Sequence, residues 1–117
     1  MPQLNQRTIK RAYDAFNERN IDTVISLMHP DVDWPNGWEG GYLKGTNEVR
    51  DYWQRQWKEL DPRVMPLSVN VDEDGLVKVK VHQVVKDMQG KLLSDAVIKH
   101  TYTFENGLIK NMEIRED

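Results

Sequence analysis

The second half of the chain alternates between apolar and polar residues, which is the pattern of β-strands with one buried face. Two such runs are joined by Asn106-Gly107, a dipeptide that tolerates the positive φ angles of a tight hairpin turn. Gly-containing turns also separate the runs upstream, near Gly75 and Gly90. The pattern predicts a meandering antiparallel sheet with strands at 67–71, 76–87, 92–104 and 108–115.

One strand of this predicted sheet carries a histidine on its apolar face. Alternation along 92–104 places five side chains on the same side: Ala96, Ile98, His100, Tyr102 and Phe104. An imidazole in this setting is either a core histidine with hydrogen-bonded nitrogens or part of the floor of a pocket. The sequence leaves both interpretations open.

The first half of the chain has the 3.6-residue periodicity of helices. Three helices are predicted, with buried stripes at Ile9, Ala12, Tyr13 and Phe16, at Val24, Leu27 and Met28, and at Val49, Tyr52, Trp53, Gln56 and Leu60. Asp22 and Thr46 are predicted N-caps, and prolines are predicted to end the second helix at Pro30 and the third at Pro62.

A short strand at 31–35, closed by Pro35, is predicted to join the edge of the sheet, and a glycine-rich loop is predicted at 36–41. Helices that come first and strands that follow predict an α+β fold with the helices packed on one face of the sheet.

Composition narrows the class of protein. The chain of 117 residues is long enough for a single domain, residues 1–117, and its hydrophobic fraction of 38% is typical of a packed globule. The 16 basic and 19 acidic residues are interspersed, which leaves no basic stripe for nucleic acid. No apolar run approaches the roughly 20 residues that span a membrane. Since the chain has no cysteine, a cytoplasmic location is predicted.

Several motifs along the chain together suggest a family. They are Tyr13-Asp14-Ala15-Phe16-Asn17 with Asn20-Ile21-Asp22, then His29-Pro30-Asp31-Val32-Asp33-Trp34, then Gly45-Thr46 before the Trp-rich helix, and finally the stretch from His100 to Ile109. The last piece is similar to an H-x-Y-x-F-x-x-G-x-I ending. In this order the chain resembles the nuclear transport factor 2-like superfamily, and more closely its SnoaL-like members.

The resemblance implies a cone in which three N-terminal helices pack in the concave face of a strongly curved antiparallel sheet and leave a cavity at the wide end. The family includes ketosteroid isomerases, polyketide cyclases, dehydratases and non-enzymatic binding domains, so the fold does not determine the function. The isomerases use a carboxylate before a proline as base, with a tyrosine and a protonated aspartate as oxyanion hole. At the positions of that base and that aspartate this sequence has Trp34 and His100, and Tyr13 lies one residue from the tyrosine.

His100 is the strongest catalytic candidate, because a neutral imidazole can donate from one nitrogen and accept at the other. Burial is expected to lower its pKa, unless Asp33 or Glu39 approaches the ring. Tyr13 and Asp33 are its candidate partners in proton transfer. Alternation directs Asp33 outward if Trp34 points inward, whereas a bulge in the strand would reverse this.

The candidate ligand-binding residues form a largely aromatic box suited to a flat or apolar ligand. They are Trp34, Trp38, Trp53, Gln83, Tyr102 and Met112. Core packing is the alternative role for Trp53, and Gln83 among valines needs either a hydrogen-bond partner or a ligand. No metal site is predicted, because the three histidines fall on different faces or elements.

Two functions of different classes are consistent with these residues. In the first, the protein is a cofactor-free isomerase, cyclase or hydro-lyase that acts on an apolar cyclic or carbonyl-containing small molecule by proton transfer through His100. In the second, the cavity only binds a small apolar or aromatic ligand, or the domain is a structural module.

A homodimer through the outer sheet face is predicted as well. The outward positions Val84, Val97, Thr101 and Thr103 are apolar enough to associate, and the resemblance points to face-to-face sheet dimers.

Overall fold

The chain folds into three helices followed by most of a six-stranded sheet. The computed structural model describes residues 2–36 and 38–116, with side chains described for 5–36 and 38–115, so Gly37 of the predicted glycine-rich loop lies outside these ranges. In chain order the elements are α1 (Pro2–Asn17), α2 (Ile21–Ser26), β1 (Met28–Pro35), β2 (Tyr42–Lys44), α3 (Thr46–Glu59), β3 (Leu60–Val71), β4 (Val77–Asp87), β5 (Leu92–Glu105) and β6 (Leu108–Glu116).

The strands form one curved, unclosed sheet in the order β2-β1-β6-β5-β4-β3. The predicted meander from β3 to β6 is confirmed, with antiparallel pairing throughout. Asn106 and Gly107 have φ angles of 54° and 79°, which confirms the predicted turn between β5 and β6. The helices pack in the concave face, so the predicted α+β cone is confirmed.

The position of β1 differs from the prediction. It was predicted as a short edge strand at 31–35, but it begins at Met28 and lies between β2 and β6, parallel to β6. The unpredicted strand β2 forms the edge. Met28 therefore belongs to a strand and not to the second helix, which ends at Ser26. The cause is non-local: Met28 pairs with Ile109 of β6, and the amide of Ile109 donates to the carbonyl of Leu27 at 3.0 Å.

The helix caps also differ from the prediction. Asn20, and not Asp22, caps α2, since its side-chain oxygen accepts from the amide of Thr23 at 3.3 Å. Gly45 occupies the N-cap position of α3 with a φ of 82°, so Thr46 is the first residue of the helix.

Strand β3 begins directly after α3 and not at Leu67. Its prolines, Pro62 and Pro66, are compatible with a strand because β3 is an edge, where one side needs no ladder donors. The side chain of Asn17 holds α1 against this edge: its Nδ2 donates to the carbonyl of Val64 at 2.7 Å, and its Oδ1 accepts from the amide of Val64 at 3.0 Å. Leu67 lies at a bulge and is 51% exposed.

The core lies between α1, α2 and α3 and the inner sheet face. Its fully buried side chains are Ile9, Val24, Val32, Val49, Val77, Val79, Val81, Ile109 and Met112. They include Ile9 of the predicted buried stripe of the first helix, while Ala12 and Tyr13 of that stripe are 9% and 4% exposed. Among the described residues, no helix combines the length and apolar character that crossing a membrane requires.

Candidate functional site

A cavity of about 490 Å³ opens between the helices and the concave face of the sheet. Its deep walls come from α1, β1, α3 and β5, and its floor includes His100 and Tyr102. Leu93 and Ile114 line the mouth and are 51% and 39% exposed. The cavity exists because the curved sheet and the helices diverge toward the wide end of the cone.

Three polar side chains form a hydrogen-bond chain at the floor of the cavity. His100 and Tyr102 are two residues apart on β5, so both point inward, while Tyr13 comes from the buried stripe of α1. The hydroxyl of Tyr102 donates to the hydroxyl of Tyr13 at 2.8 Å, and the Tyr13 hydroxyl lies 2.7 Å from Nδ1 of His100. The rings of Tyr13 and His100 are nearly parallel, with centroids 5.9 Å apart.

With Tyr102 as the first donor of this hydrogen-bond chain, one tautomer of His100 follows. Because the Tyr13 oxygen accepts from Tyr102, its own proton is directed to Nδ1 of His100. A neutral imidazole that accepts at Nδ1 carries its proton on Nε2. No described residue is hydrogen-bonded to Nε2, and Nε2 is not one of the fully enclosed unpartnered atoms, so it opens to the cavity. In this arrangement His100 presents an N–H donor at Nε2 to a bound molecule.

All three side chains are uncharged at neutral pH, and burial shifts each pKa further in that direction. It lowers the pKa of His100 to about 4, as predicted from an inward position on the sheet. Burial also raises the pKa of Tyr102, and it raises the pKa of Tyr13 with a further contribution from Tyr102. No carboxylate contributes to the shift of His100, so the alternative in which Asp33 or Glu39 reverses its sign is wrong.

Aromatic rings form the sides of the cavity. Trp34 packs edge-on against Trp53 with centroids 5.4 Å apart, and it also contacts Tyr102 at 6.2 Å. Trp38 lies over Tyr52 at 6.2 Å. These faces and edges suit a flat, ring-containing molecule.

The loop that carries Trp38 is fixed by polar contacts. Oδ1 of Asn36 accepts from the backbone amides of Trp38 and Glu39 at 3.2 and 2.7 Å, which closes a tight turn. The carboxylate of Glu39 pairs with Arg55 of α3 at 2.8 Å. These contacts hold the Trp38 ring at the cavity wall.

Most of the predicted site residues line this cavity. They are Tyr13, Trp34, Trp38, Trp53, Gln83, His100, Tyr102 and Met112. Asp33 does not line it: its carboxylate lies 3.8 Å from Lys44 Nζ on the outer side of the sheet. Glu39 is exposed, and its bond to Arg55 lowers the pKa of its carboxyl group. The register shift within β1 lies before Asp33 and does not turn it inward.

Tyr52, Gln56 and Ser94 also line the cavity and were not among the predicted site residues. The amide of Gln56 donates to the Tyr52 hydroxyl at 3.3 Å. The signal for Gln56 was present in the sequence, since it is a polar residue within the apolar stripe of the third helix. Ser94 had a signal too, because the alternation that places Ala96 and His100 on the inner face also places Ser94 there.

Metal ligands do not gather in the part of the chain that the structure describes: no three histidine, aspartate or glutamate side chains converge there. The side chains with donor groups in the lining are one imidazole, three phenols, three indoles, two amides and one hydroxyl.

The SnoaL-like domain family matches residues 9–112. The chain belongs to this family. No curated protein gives a significant match.

Solved structures share the fold over nearly the whole chain. An NTF2-like protein of unknown function from Burkholderia pseudomallei is 23% identical with a TM-score of 0.84, and the match covers 97% of this chain and 91% of that one. TerC, crystallised with polyporic acid, is 25% identical with a TM-score of 0.84, covering 97% and 92%. A Mycobacterium tuberculosis protein in complex with estradiol-17beta-hemisuccinate is 15% identical with a TM-score of 0.84, covering 97% and 94%.

Proposed function

We propose that this SnoaL-like protein binds a small, ring-containing hydrophobic molecule in its cavity and holds a polar atom of that molecule against His100. The observation that carries the proposal is the combination of a 490 Å³ aromatic-walled cavity with one polar cluster at its floor. A space of this size suits a small-molecule ligand. Polyporic acid, crystallised with TerC, and estradiol-17beta-hemisuccinate, in the complex of the Mycobacterium tuberculosis protein, also contain rings, and in this respect they support the proposed class.

Native mass spectrometry of the purified protein, followed by extraction of any co-purified molecule, tests the proposal. A Ser94→Trp variant should block the mouth and lose the bound molecule, because Ser94 lines the cavity and is itself exposed. Ser26→Trp, at the exposed end of α2, is the matched control and should retain it. Equal occupancy in both variants would contradict binding in this cavity.

Catalysis is the second candidate function, and the contacts of His100 favour it. Nε2 opens to the cavity while Nδ1 is joined through Tyr13 to Tyr102, so the imidazole can exchange a proton with a ligand while its other nitrogen stays hydrogen-bonded. The reaction would be that of a cofactor-free isomerase, cyclase or hydro-lyase. The described lining contains no carboxylate, so the proton transfer would depend on His100 with Tyr13.

His100→Gln separates the two functions. Glutamine keeps some hydrogen bonding but cannot carry a proton at neutral pH. An enzyme variant should bind the co-purified molecule and stop converting it, which mass spectrometry of the incubated mixture detects. Unchanged conversion would exclude His100 as the proton-transfer group.

A homodimer through the outer sheet face completes the proposal. Met65, His82 and Val97 form a cross-strand row on that face, and Met65 and Val97 are 62% and 40% exposed. Two such faces would cover each other's apolar side chains. Sedimentation at micromolar concentration should show a dimer, which Val97→Asp should dissociate. A single 13.8 kDa species for the unmodified protein would contradict it.

A further inference from the structure

No charged side chain lines the cavity among the described residues. The lining consists of aliphatic and aromatic residues together with a few neutral polar ones: Tyr13, Tyr52, Gln56, Gln83, Ser94, His100 and Tyr102. The phenols and the imidazole are uncharged at neutral pH, and burial shifts each pKa further in that direction. A bound anion would therefore meet no counter-charge in the lining.

Charged residues of the strands and the loop around the cavity lie outside its lining. Asp33 of β1 faces Lys44, and Glu39 faces Arg55. His82 of β4 is hydrogen-bonded to Asp95 on the outer face of the sheet. Glu113 and Arg115 of β6 do not line the cavity either. None of these charges is available to a ligand inside.

Arg19 is the cation closest to an aromatic wall, and its hydrogen-bonding groups are already engaged. Its guanidinium lies 5.5 Å from the ring centre of Phe16 and 5.2 Å from that of Trp57. It donates to the carboxylate of Asp61 and, at 2.8 Å, to the carbonyl of Pro62. The Phe16 side chain lines the cavity, whereas Arg19 does not.

The hydrogen-bond chain of Tyr102, Tyr13 and His100 sets which hydrogen-bonding group the cavity floor offers to a ligand. In the arrangement in which Tyr102 donates to Tyr13 and Tyr13 donates to Nδ1 of His100, the floor offers an N–H donor at Nε2. A neutral carbonyl oxygen is a matching acceptor. The amide of Gln83 has no hydrogen-bond partner among the described residues and can meet a second polar atom nearer the mouth.

We infer that the cavity selects flat, ring-containing ligands in their uncharged form, with a carbonyl oxygen accepting from Nε2–H of His100, and that it rejects anions of the same shape. This inference rests on the proposed function and narrows its ligand class. Neutral donors without a counter-charge do not replace the hydration that an anion loses on burial. Burial without a counter-charge raises the pKa of an acid, and a shift of about two units corresponds to about 100-fold tighter binding of the neutral form than of the anion.

A matched pair of probes tests the selection directly. 2-Acetonaphthone and 2-naphthoate share one ring system and nearly one shape, but only the second is charged at neutral pH. Calorimetry or quenching of tryptophan fluorescence with the full-length protein gives both dissociation constants. We expect 2-naphthoate to bind about 100-fold more weakly than the ketone.

A cation placed in the lining should reduce this preference. Gln56→Lys puts an ammonium group at the α3 wall, whereas Gln54→Lys puts the same charge on the exposed side of the same helix. We expect the ratio of the two dissociation constants to fall at least about tenfold in Gln56→Lys and to stay unchanged in Gln54→Lys. Melting temperatures verify that both variants are folded.

The outcomes separate the inference from the function on which it rests. Binding of 2-naphthoate within about tenfold of the ketone would overturn the inference, while the proposed function would stand. An unchanged ratio in Gln56→Lys would overturn it too, since the rejection would then have another cause. If neither naphthalene binds, the proposed function itself is contradicted and the inference falls with it.

Discussion

Tyr13→Phe is the most informative single change, because Tyr13 is the middle member of the buried hydrogen-bond chain. The substitution removes one oxygen and leaves the ring in place between α1 and β5. It deprives Nδ1 of His100 of its donor at 2.7 Å and the Tyr102 hydroxyl of its acceptor at 2.8 Å. Both groups belong to buried residues, with exposed fractions of 6% and 2%.

The cost in stability follows from these two unpartnered groups. Leaving a buried donor or acceptor unsatisfied costs about 1–3 kcal/mol, so for two such groups we expect Tyr13→Phe to lower the free energy of unfolding by about 2–6 kcal/mol. Tyr102→Phe removes only the hydrogen bond between Tyr102 and Tyr13 and leaves the hydrogen bond between Tyr13 and His100 intact. Its expected cost is about 0.5–1.5 kcal/mol.

Urea unfolding measures the free energy of unfolding of each variant and so ranks the costs of Tyr13→Phe and Tyr102→Phe. Tyr42→Phe is the matched control, because Tyr42 is 62% exposed and its hydroxyl donates to Glu113 at 3.0 Å. Exposed positions of this kind change stability by at most about 0.5 kcal/mol. The slopes of the three transitions should agree, so that midpoints report stability. A Tyr13→Phe variant that loses no more than Tyr42→Phe would refute the role of the chain as a buried, fully partnered network.

Three further predictions follow from the structure. Burial lowers the pKa of His100 to about 4, which is below its value in the unfolded chain. The unfolded state therefore binds the proton first as the pH falls, so the free energy of unfolding is highest above about pH 6.5 and decreases toward pH 4. This decrease amounts to about 3 kcal/mol. The His100→Gln variant should therefore lose less stability than the unmodified protein between pH 7 and about pH 4. Equal losses in the two proteins would contradict the lowered pKa of His100. Gly45→Ala should destabilise more than Gly75→Ala, because both have a φ of 82° but only at Gly45 would a Cβ meet a backbone oxygen at 3.3 Å; equal melting temperatures would exclude the contact. Asn17→Ala should cost about 1–3 kcal/mol in urea unfolding, since it strips two hydrogen bonds from Val64, and a neutral result would show that water replaces them.

The sequence alone determined the elements whose signals are local. Period-two alternation on β5 placed His100 and Tyr102 on the inner face, and the stripe of α1 placed Tyr13 on the buried face of its helix. The turn at Asn106-Gly107 followed from the φ angles that these two residues tolerate. In each case a few neighbouring residues carry the whole signal, so no knowledge of the partner elements was needed.

The tertiary structure decided the features that depend on distant partners. Prolines made β3 appear to begin at Leu67, but the strand starts at Leu60, because an edge strand tolerates Pro62 and Asn17 supplies hydrogen bonds to it. The placement of β1 beside β6 depends on pairing across most of the chain.

The contents of the cavity were decided in the same way. Whether Asp33 pointed inward depended on how β1 paired, and its pairing directs the carboxylate toward Lys44 and away from the cavity. The contact of Tyr13 with His100 joins residues 87 positions apart. Sequence periodicity predicts which face of a helix or strand a side chain occupies. The distance between a side chain on a helix and one on the sheet is fixed only when the helices pack against the sheet. The neutral lining of the cavity is therefore a property of the packed fold and not of any one segment.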